Sequence, residues 1–556
     1  MMFRHFTVKI AVVVAMGVAI VGIHSAQAVN NGGSVQGIVK SASGEAVSGA
    51  FVKLKNAERR LTFMVISQTQ GSYQIGGLPP GKYRVQGIGG DFQSEWSAPV
   101  DVGAGKSSTA NVWLRNLRGP MLSLAGPRAQ QPQPGTPRIF PEGEGKRIAE
   151  TKCAQCHDTQ RVSGARYTRE GWEDCIEVMR DYARAVTAAT DLTDEEAKVL
   201  LDYVTTHFLG ETPKADPNSR LPRTLLSGEA TQYLAVEYEI PTHDSEPHEI
   251  TVDKDGNGWV SERKGGLLGK LDVNTLAFTE VSPPPAAWGG LRLNAIAQGL
   301  GNSLWMVDGG PNRRWLSYDT KTGKFQVFPA PAVRIGSPGG NTMVVRPDGT
   351  VWLAILFANQ VVGLNPATGK FVTYEVPSGV ATGGRGASPY GMAIAGDGKV
   401  WFNEFAVNKM GRLVPDTGTI DEFDIPLQGC GNRKMGSDSD GNLWVGCYSA
   451  GKLLKIDYKT TQMTVFSPPT ENSGVYAVSG DPKSKLIWFS EQRADKIARF
   501  DPQTQAYVEY PMISAESDVR RMEVDPNQPN RIWWAGHTSN LMGYIEILSG
   551  DARQKQ

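Results

Sequence analysis

The chain is poor in cysteine: 556 residues hold five, too few for a disulfide-stapled scaffold. It has no excess of either charge. Lys+Arg and Asp+Glu both number 57, so the basic face that marks nucleic-acid binders is not expected. No apolar run beyond residue 23 approaches the ~20 residues that a membrane helix needs. The signature of disorder is missing too, with 40% hydrophobic and 21% charged residues. What the chain has in quantity is Gly (63) and Pro (34), which favours a turn-rich, mainly β protein. Its length implies several domains.

Residues 1–28 read as a secretory signal. Arg4, His5 and Lys9 precede the apolar run from Ile10 to Ile23, and Ala26-Gln27-Ala28 supplies an A-x-A cleavage site. The expectation is a mature protein that is exported, periplasmic or beyond, with no membrane span after cleavage.

Residues 33–115 hold short alternating runs (Val35–Val39, Ala50–Leu54, Tyr73–Ile75, Tyr83–Val85) punctuated by Gly44, Gly71 and Pro79-Pro80-Gly81. This pattern predicts a small antiparallel β-sandwich. The stretch from Thr69 to Tyr83 resembles the carboxypeptidase-regulatory-like, transthyretin-type domain. The resemblance implies an accessory module, with carbohydrate-like ligands known for some relatives. Residues 116–141 contain six prolines and read as a semi-rigid linker.

Residues 142–212 turn helical, with expected helices over 146–155, 171–187 and 194–208. Thr193 with Glu196 forms a capping-box signature. Here Cys153-Ala154-Gln155-Cys156-His157 carries the sharpest chemistry in the chain. Two thiols one helical turn apart suit covalent attachment of one haem c, with His157 as proximal iron ligand. A redox dithiol would want a βαβ setting and zinc would want two more ligands nearby; neither is evident. Met179 and His207 are the candidates for the distal position. The stretch from Cys153 through Arg169, Trp172 and Met179 to Tyr203 resembles short class-I-like cytochrome c domains, which implies Met179.

Residues 227–548 repeat. Trp259, Trp305, Trp352, Trp401, Trp444, Trp488 and Trp533 recur every 43 to 49 residues, mostly after an Asp-Gly turn. Four short strands per repeat make propeller blades, and seven tryptophans make seven. The last repeat lacks a fourth strand, and the orphan run Tyr233–Pro241 fits that role, closing the ring. The register predicts two rings facing the channel. One holds His248, Asn294, Asn341, Tyr390, Arg433, Tyr476 and Arg521. The other holds Glu262, Asp308, Ile355, Glu404, Cys447, Glu491 and Gly536. Cys430 and Cys447 flank one hairpin and are a disulfide candidate.

Blade one differs from its siblings in carrying Glu246-Pro247-His248 and Glu262. Two carboxylates can hold Mg²⁺, and a neutral imidazole beside them can take a proton. The seven repeats resemble the streptogramin (virginiamycin) B lyase family, which opens a cyclic depsipeptide by elimination. The resemblance implies Glu246 and Glu262 as Mg²⁺ ligands and His248 as general base. It also implies a substrate-contacting histidine in blade seven, where the equivalent position reads Arg521, with His537 nearby.

The fold expected is therefore mainly β and multi-domain: a sandwich, a small α-helical cytochrome c domain and a seven-bladed propeller. The function expected is that of a c-type haem oxidoreductase or electron-transfer protein, with a redox partner protein. Its propeller would hold a small-molecule substrate or cofactor. A Mg²⁺-dependent carbon-oxygen lyase is the runner-up, followed by a binding protein with a haem relay.

Overall fold

A computed structural model of the chain describes residues 32–117, 140–153, 192–209, 224–285, 290–310, 314–331, 340–356, 358–378 and 386–548, with isolated positions between 162 and 180. The signal segment, most of the Pro-rich segment, and Cys156, His157 and Met179 lie outside these residues. The described chain is mainly β, with an N-terminal sandwich-like domain and a C-terminal propeller.

In the sandwich, Phe51–Asn56 pairs antiparallel with both Leu61–Ile66 and Gly81–Gly89. The facing strand, Gly33–Ser41, pairs antiparallel with Ser72–Leu78 but parallel with Ser107–Thr109 and Val112–Leu114. The domain is thus not wholly antiparallel, as the alternation had suggested. Val35, Val52, Phe63, Tyr83 and Val112 fill its core.

The alternation rule also missed Leu61–Ile66 as a strand. Its sequence, Leu-Thr-Phe-Met-Val-Ile, is nearly all apolar because neighbours cover both faces. On one edge it meets Phe51–Asn56. On the other it pairs with Tyr233–Glu239, from Val65 opposite Leu234 to Leu61 opposite Tyr238. Tyr233–Glu239 in turn pairs along its length with Leu541–Ile547. The sandwich sheet therefore runs into the seventh blade as one sheet. The cores merge as well: Phe51, Met64 and Ile66 pack with Tyr233 and Trp534, and Val52 and Phe63 share a cluster with Val236 and Trp533. Lys53, 4% exposed, donates to the Ile513 carbonyl at 2.6 Å. An edge that closure would have left open is covered by a neighbouring domain.

Six four-stranded sheets follow in chain order, each built from successive antiparallel strands. Their inner strands begin at Pro247, Leu293, Thr342, Pro389, Asn432 and Val475, and the seventh blade's begins at Val519. Each inner strand contacts the next, and the seventh contacts the first, which closes the ring. The Asp-Gly turns have a defined task. Asp253 accepts from the Trp259 indole at 2.7 Å and from the Asp255 and Asn257 N–H groups, both at 2.9 Å. Asp438 does the same for Trp444, Asp440 and Asn442. One carboxylate fixes the turn and the buried indole together. A disulfide joins Cys430 and Cys447.

Between sandwich and propeller, two helices are described: α1 (Glu144–Thr151) and α2 (Asp194–His207). The expected middle helix lies largely outside the described residues. At α2 the capping box is present: the Glu196 N–H donates to Thr193 Oγ1 (3.2 Å) and the Thr193 N–H to Glu196 Oε2 (2.9 Å). The helices cross closely at Gly145, where a Cβ would lie 2.2 Å from Cγ of Tyr203.

Candidate functional site

Six of the seven inner strands open near the channel mouth with a register shift; Thr342–Val345 of blade three pairs in regular register. In blade one Pro247 pairs with Glu262 and Glu249 with Ser261, which leaves His248 bulged. Equivalent shifts place Asn294, Tyr390, Arg433 and Tyr476 in the same bulge. In blade seven the shift falls between Val519 and Arg521, so the mouth residue is Arg520. The expected Arg521 is one residue off, because the hairpin from Asp525 to Arg531 is longer than a regular Asp-Gly turn. Bulges re-aim side chains in this way at barrel and propeller rims.

These residues converge. The Tyr390 and Tyr476 hydroxyls are hydrogen-bonded to each other. The Arg433 guanidinium lies over Phe405 (4.0 Å), Tyr448 (5.3 Å), Tyr390 and Tyr476 (both 5.8 Å). His248 is 4% exposed and packs edge-on against His537, ring centroids 5.1 Å apart. Its Nδ1 lies 2.8 Å from the Asn294 carbonyl oxygen. A carbonyl only accepts, so Nδ1 carries the hydrogen and Nε2 holds the lone pair. Burial, then the charges of Lys434 and Arg520, push the His248 pKa down to about 3. The imidazole is neutral and an acceptor at Nε2.

Below this ring the channel is bolted. Lys434 of blade five, 0% exposed, reaches Glu249 of blade one at 2.5 Å, and bonds Thr342 Oγ1 (2.7 Å) and the Asn341 carbonyl of blade three. Arg521 approaches Glu249 from blade seven at 3.8 Å. Four blades thus meet in one buried charged cluster, and the mouth is a cup with a floor.

Glu246 stands at the rim with φ = 52°. Blades five and six place Gly431 and Gly474 at the same step before their inner strands, with φ of 60° and 69°. A non-glycine there costs about 1 kcal/mol or more. Blade seven does likewise with Asp518 (φ = 48°). Glu246 pairs with Arg263 at 3.4 Å and Asp518 with Arg520 at 3.2 Å.

Glu262 goes elsewhere, and with it the second expected ring. A Cβ on Gly269, in the third strand of blade one, would sit 2.8 Å from Glu262 Oε1. The side chain therefore runs outward over that glycine toward Glu280 on the fourth strand. Glu404 crosses Gly411 in the same way toward Glu422. Burial first, then the neighbouring carboxylate, pushes Glu262, Glu404 and Glu491 each up to about 8. The fourth-strand partners hold the preceding blade's exit loop. Glu422 accepts from the Ser378 N–H (2.6 Å), Glu509 from Thr470 (3.1 Å) and Glu280 from Thr242 (3.2 Å). Asp308 turns outward to Arg314 (3.1 Å). Alternation along a strand gives the face of a side chain but not its lean, so the outward turn was not legible.

The structure brings His248 and His537 together and leaves Glu246 and Glu262 in different surroundings, one against Arg263 and the other beside Glu280. Among the described residues no three His, Cys, Asp or Glu side chains are grouped to hold a metal ion. The residues present do not fit a Mg²⁺ site at Glu246 and Glu262.

Comparison with known proteins agrees with the ring. Residues 290–552 match the virginiamycin B lyase family and residues 34–115 the carboxypeptidase regulatory-like domain. The propeller is virginiamycin B lyase-like. Blade one, with Glu246, His248 and Glu262, precedes the matched stretch. The virginiamycin B lyase of Nocardia farcinica (strain IFM 10152) is 26% identical over 187 residues, 33% of this chain and 56% of that protein. The chain spans about half the length of this curated relative. A solved streptogramin B lyase covers 58% of this chain and all of its own, at 21% identity and a TM-score of 0.51. The Staphylococcus aureus virginiamycin B lyase covers 57% and 99%, at 22% and 0.49. At 21% identity the likeness to the first of these structures concerns the fold alone.

In the helical zone Cys153 follows α1 and packs, partly buried, on an apolar cluster that includes Ile148, Trp172, Ile176 and Phe208. His207 is exposed at the end of α2, with its ring 4.7 Å from that of Tyr203. It faces out of the cluster. Among the described residues no helix is long and apolar enough to cross a membrane.

Proposed function

We propose that the chain is an exported, periplasmic c-type haem protein that exchanges electrons with a redox partner, and that the propeller cup holds the small molecule it acts on. The observation that carries this reading is the Cys153…Cys156-His157 spacing, set where Cys153 borders a packed apolar cluster. An apolar cluster beside the first of the two thiols suits a covalently held haem. Cys153 and Cys156 would hold the porphyrin, His157 and Met179 the iron, and the bound group supplies one-electron chemistry. The exposure of His207 favours Met179 as distal ligand. In the cup, His248 Nε2 accepts a hydrogen bond from the ligand, while the buried Lys434–Glu249 pair closes the channel beneath it.

A second reading, a carbon-oxygen lyase, is favoured by the lyase-like propeller and by the buried His248–His537 pair. It requires a base. An imidazole held near pKa 3 is a weak one until an anionic ligand raises it.

The test is haem staining of the full chain after denaturing electrophoresis, expressed with haem-attachment machinery. Stain that persists in the wild type and vanishes in the Cys153→Ser/Cys156→Ser double variant is expected. Absent stain in the wild type, or unchanged stain in the double variant, would refute the haem assignment.

A further inference from the structure

The whole chain carries no net charge, yet the mouth of the cup does. Arg292 stands in blade two where Glu246 stands in blade one, two residues before the bulge. Arg263 follows the second strand of blade one, its N–H on the Glu246 carbonyl at 3.0 Å. Arg263, Arg292 and Arg520 feel one another: burial first, then the charges of Arg292 and Arg520, lower the Arg263 pKa to about 9. Arg433 adds a fourth guanidinium, stacked on the aromatic wall. Facing these are two rim carboxylates, Glu246 and Asp518, since Glu249 is committed below to Lys434. Four guanidinium groups against two carboxylates leave the cup positive. The four arginines are partly buried, with 12% of the Arg263 and 22% of the Arg520 side chain exposed. Arg520 also lies in the field of Tyr390 and Tyr476, so the cationic and aromatic walls are contiguous.

We propose that the cup takes a small anionic molecule bearing a planar ring, its carboxylate among Arg263, Arg292 and Arg520 and its ring against Tyr390. The proposal rests on the reading of the cup as the ligand site and adds the ligand's chemical class. Mutually repelling, partly desolvated guanidinium groups gain most from an anion, and Arg forks match a carboxylate bidentately. Tyr390, partly exposed, offers a ring at little entropic cost, and the buried Tyr476 hydroxyl bonds to its own. Lys434 and Glu249 below neutralise each other, so the positive field is directed to the mouth.

The experiment is calorimetric titration of the full chain with three probes: 2-naphthoate, 2-naphthamide and cyclohexanecarboxylate. Naphthoate is expected to bind at least tenfold tighter than either other probe, and to weaken as salt rises. In Arg520→Gln the naphthoate advantage over naphthamide is expected to fall several-fold, with the amide unchanged. Wild-type comparison of the probes needs no variant, so a folding defect in Arg520→Gln leaves the test intact. Naphthamide binding as tightly as naphthoate would overturn the anion assignment while leaving the cup a ligand site. Binding of none of the probes would overturn both.

Discussion

Removing the Lys434 ammonium is the sharpest perturbation of the cup floor. Lys434 is 0% exposed and holds Glu249, itself 1% exposed, at 2.5 Å. In Lys434→Met the methionine fills similar volume, but Glu249 keeps only Arg521, at 3.8 Å, as a charged partner, beside the neutral His248 ring at 3.7 Å. Breaking a buried ion pair from one side costs ~3–5 kcal/mol, and the lost donors to Thr342 and the Asn341 carbonyl fall within that range. Burial already raises the Glu249 pKa, and losing Lys434 raises it further. A carboxyl whose folded pKa lies above its unfolded one contributes stability below the unfolded value and loses it as pH rises through the folded value. The penalty is therefore smaller at pH 5 than at pH 8. The assay is urea unfolding followed by tryptophan emission, which reports on thirteen indoles, most of them in the propeller. The Lys434→Met/Glu249→Met variant is expected to recover most of the loss, because no uncompensated charge is left. A cost below ~1 kcal/mol at pH 8 in the single variant, or a double variant less stable than the single, would refute the bolt.

Three further outcomes follow from the same geometry. Glu262, Glu404 and Glu491, each pushed to about 8, make stability fall as pH rises from ~4.5 toward 8. Glu404→Gln is expected to flatten that slope in urea midpoints, and an unchanged slope would contradict the pairing with Glu422. Cys430→Ala/Cys447→Ala opens a 17-residue separation and is expected to cost ~3 kcal/mol, read as a lower thermal midpoint; no shift would contradict it. Deleting residues 32–117 uncovers the Tyr233–Glu239 edge and the Phe51/Met64/Ile66 contacts. The remainder is expected to aggregate on size-exclusion chromatography, and a stable monomer would show that the sandwich is dispensable.

Much of the propeller could be read from seven tryptophans, because most follow an Asp-Gly turn of the kind that Asp253 organises for Trp259 and Asp438 for Trp444. Closure by Tyr233–Glu239 was legible because a blade lacking its fourth strand must find one. The weld to the sandwich was not. Leu61–Ile66 has no alternation, and its partner lies some 170 residues away in sequence. In the site, His248 followed from the repeat register, but Arg520 did not, since a longer hairpin in blade seven displaces the count by one. Nor could spacing show that Glu262 leans outward over Gly269. The Lys434–Glu249 bolt joins blades one and five, a pairing that no local pattern announces.

We propose that the cup feeds electrons to, or draws them from, a haem held by Cys153 and Cys156. The most direct test is the visible spectrum of the purified ferric protein during anaerobic incubation with ring-bearing carboxylates, with product followed alongside. Haem reduction in step with product, lost in Arg520→Gln, is expected. Product accumulating while the haem stays ferric would contradict it and support the lyase reading.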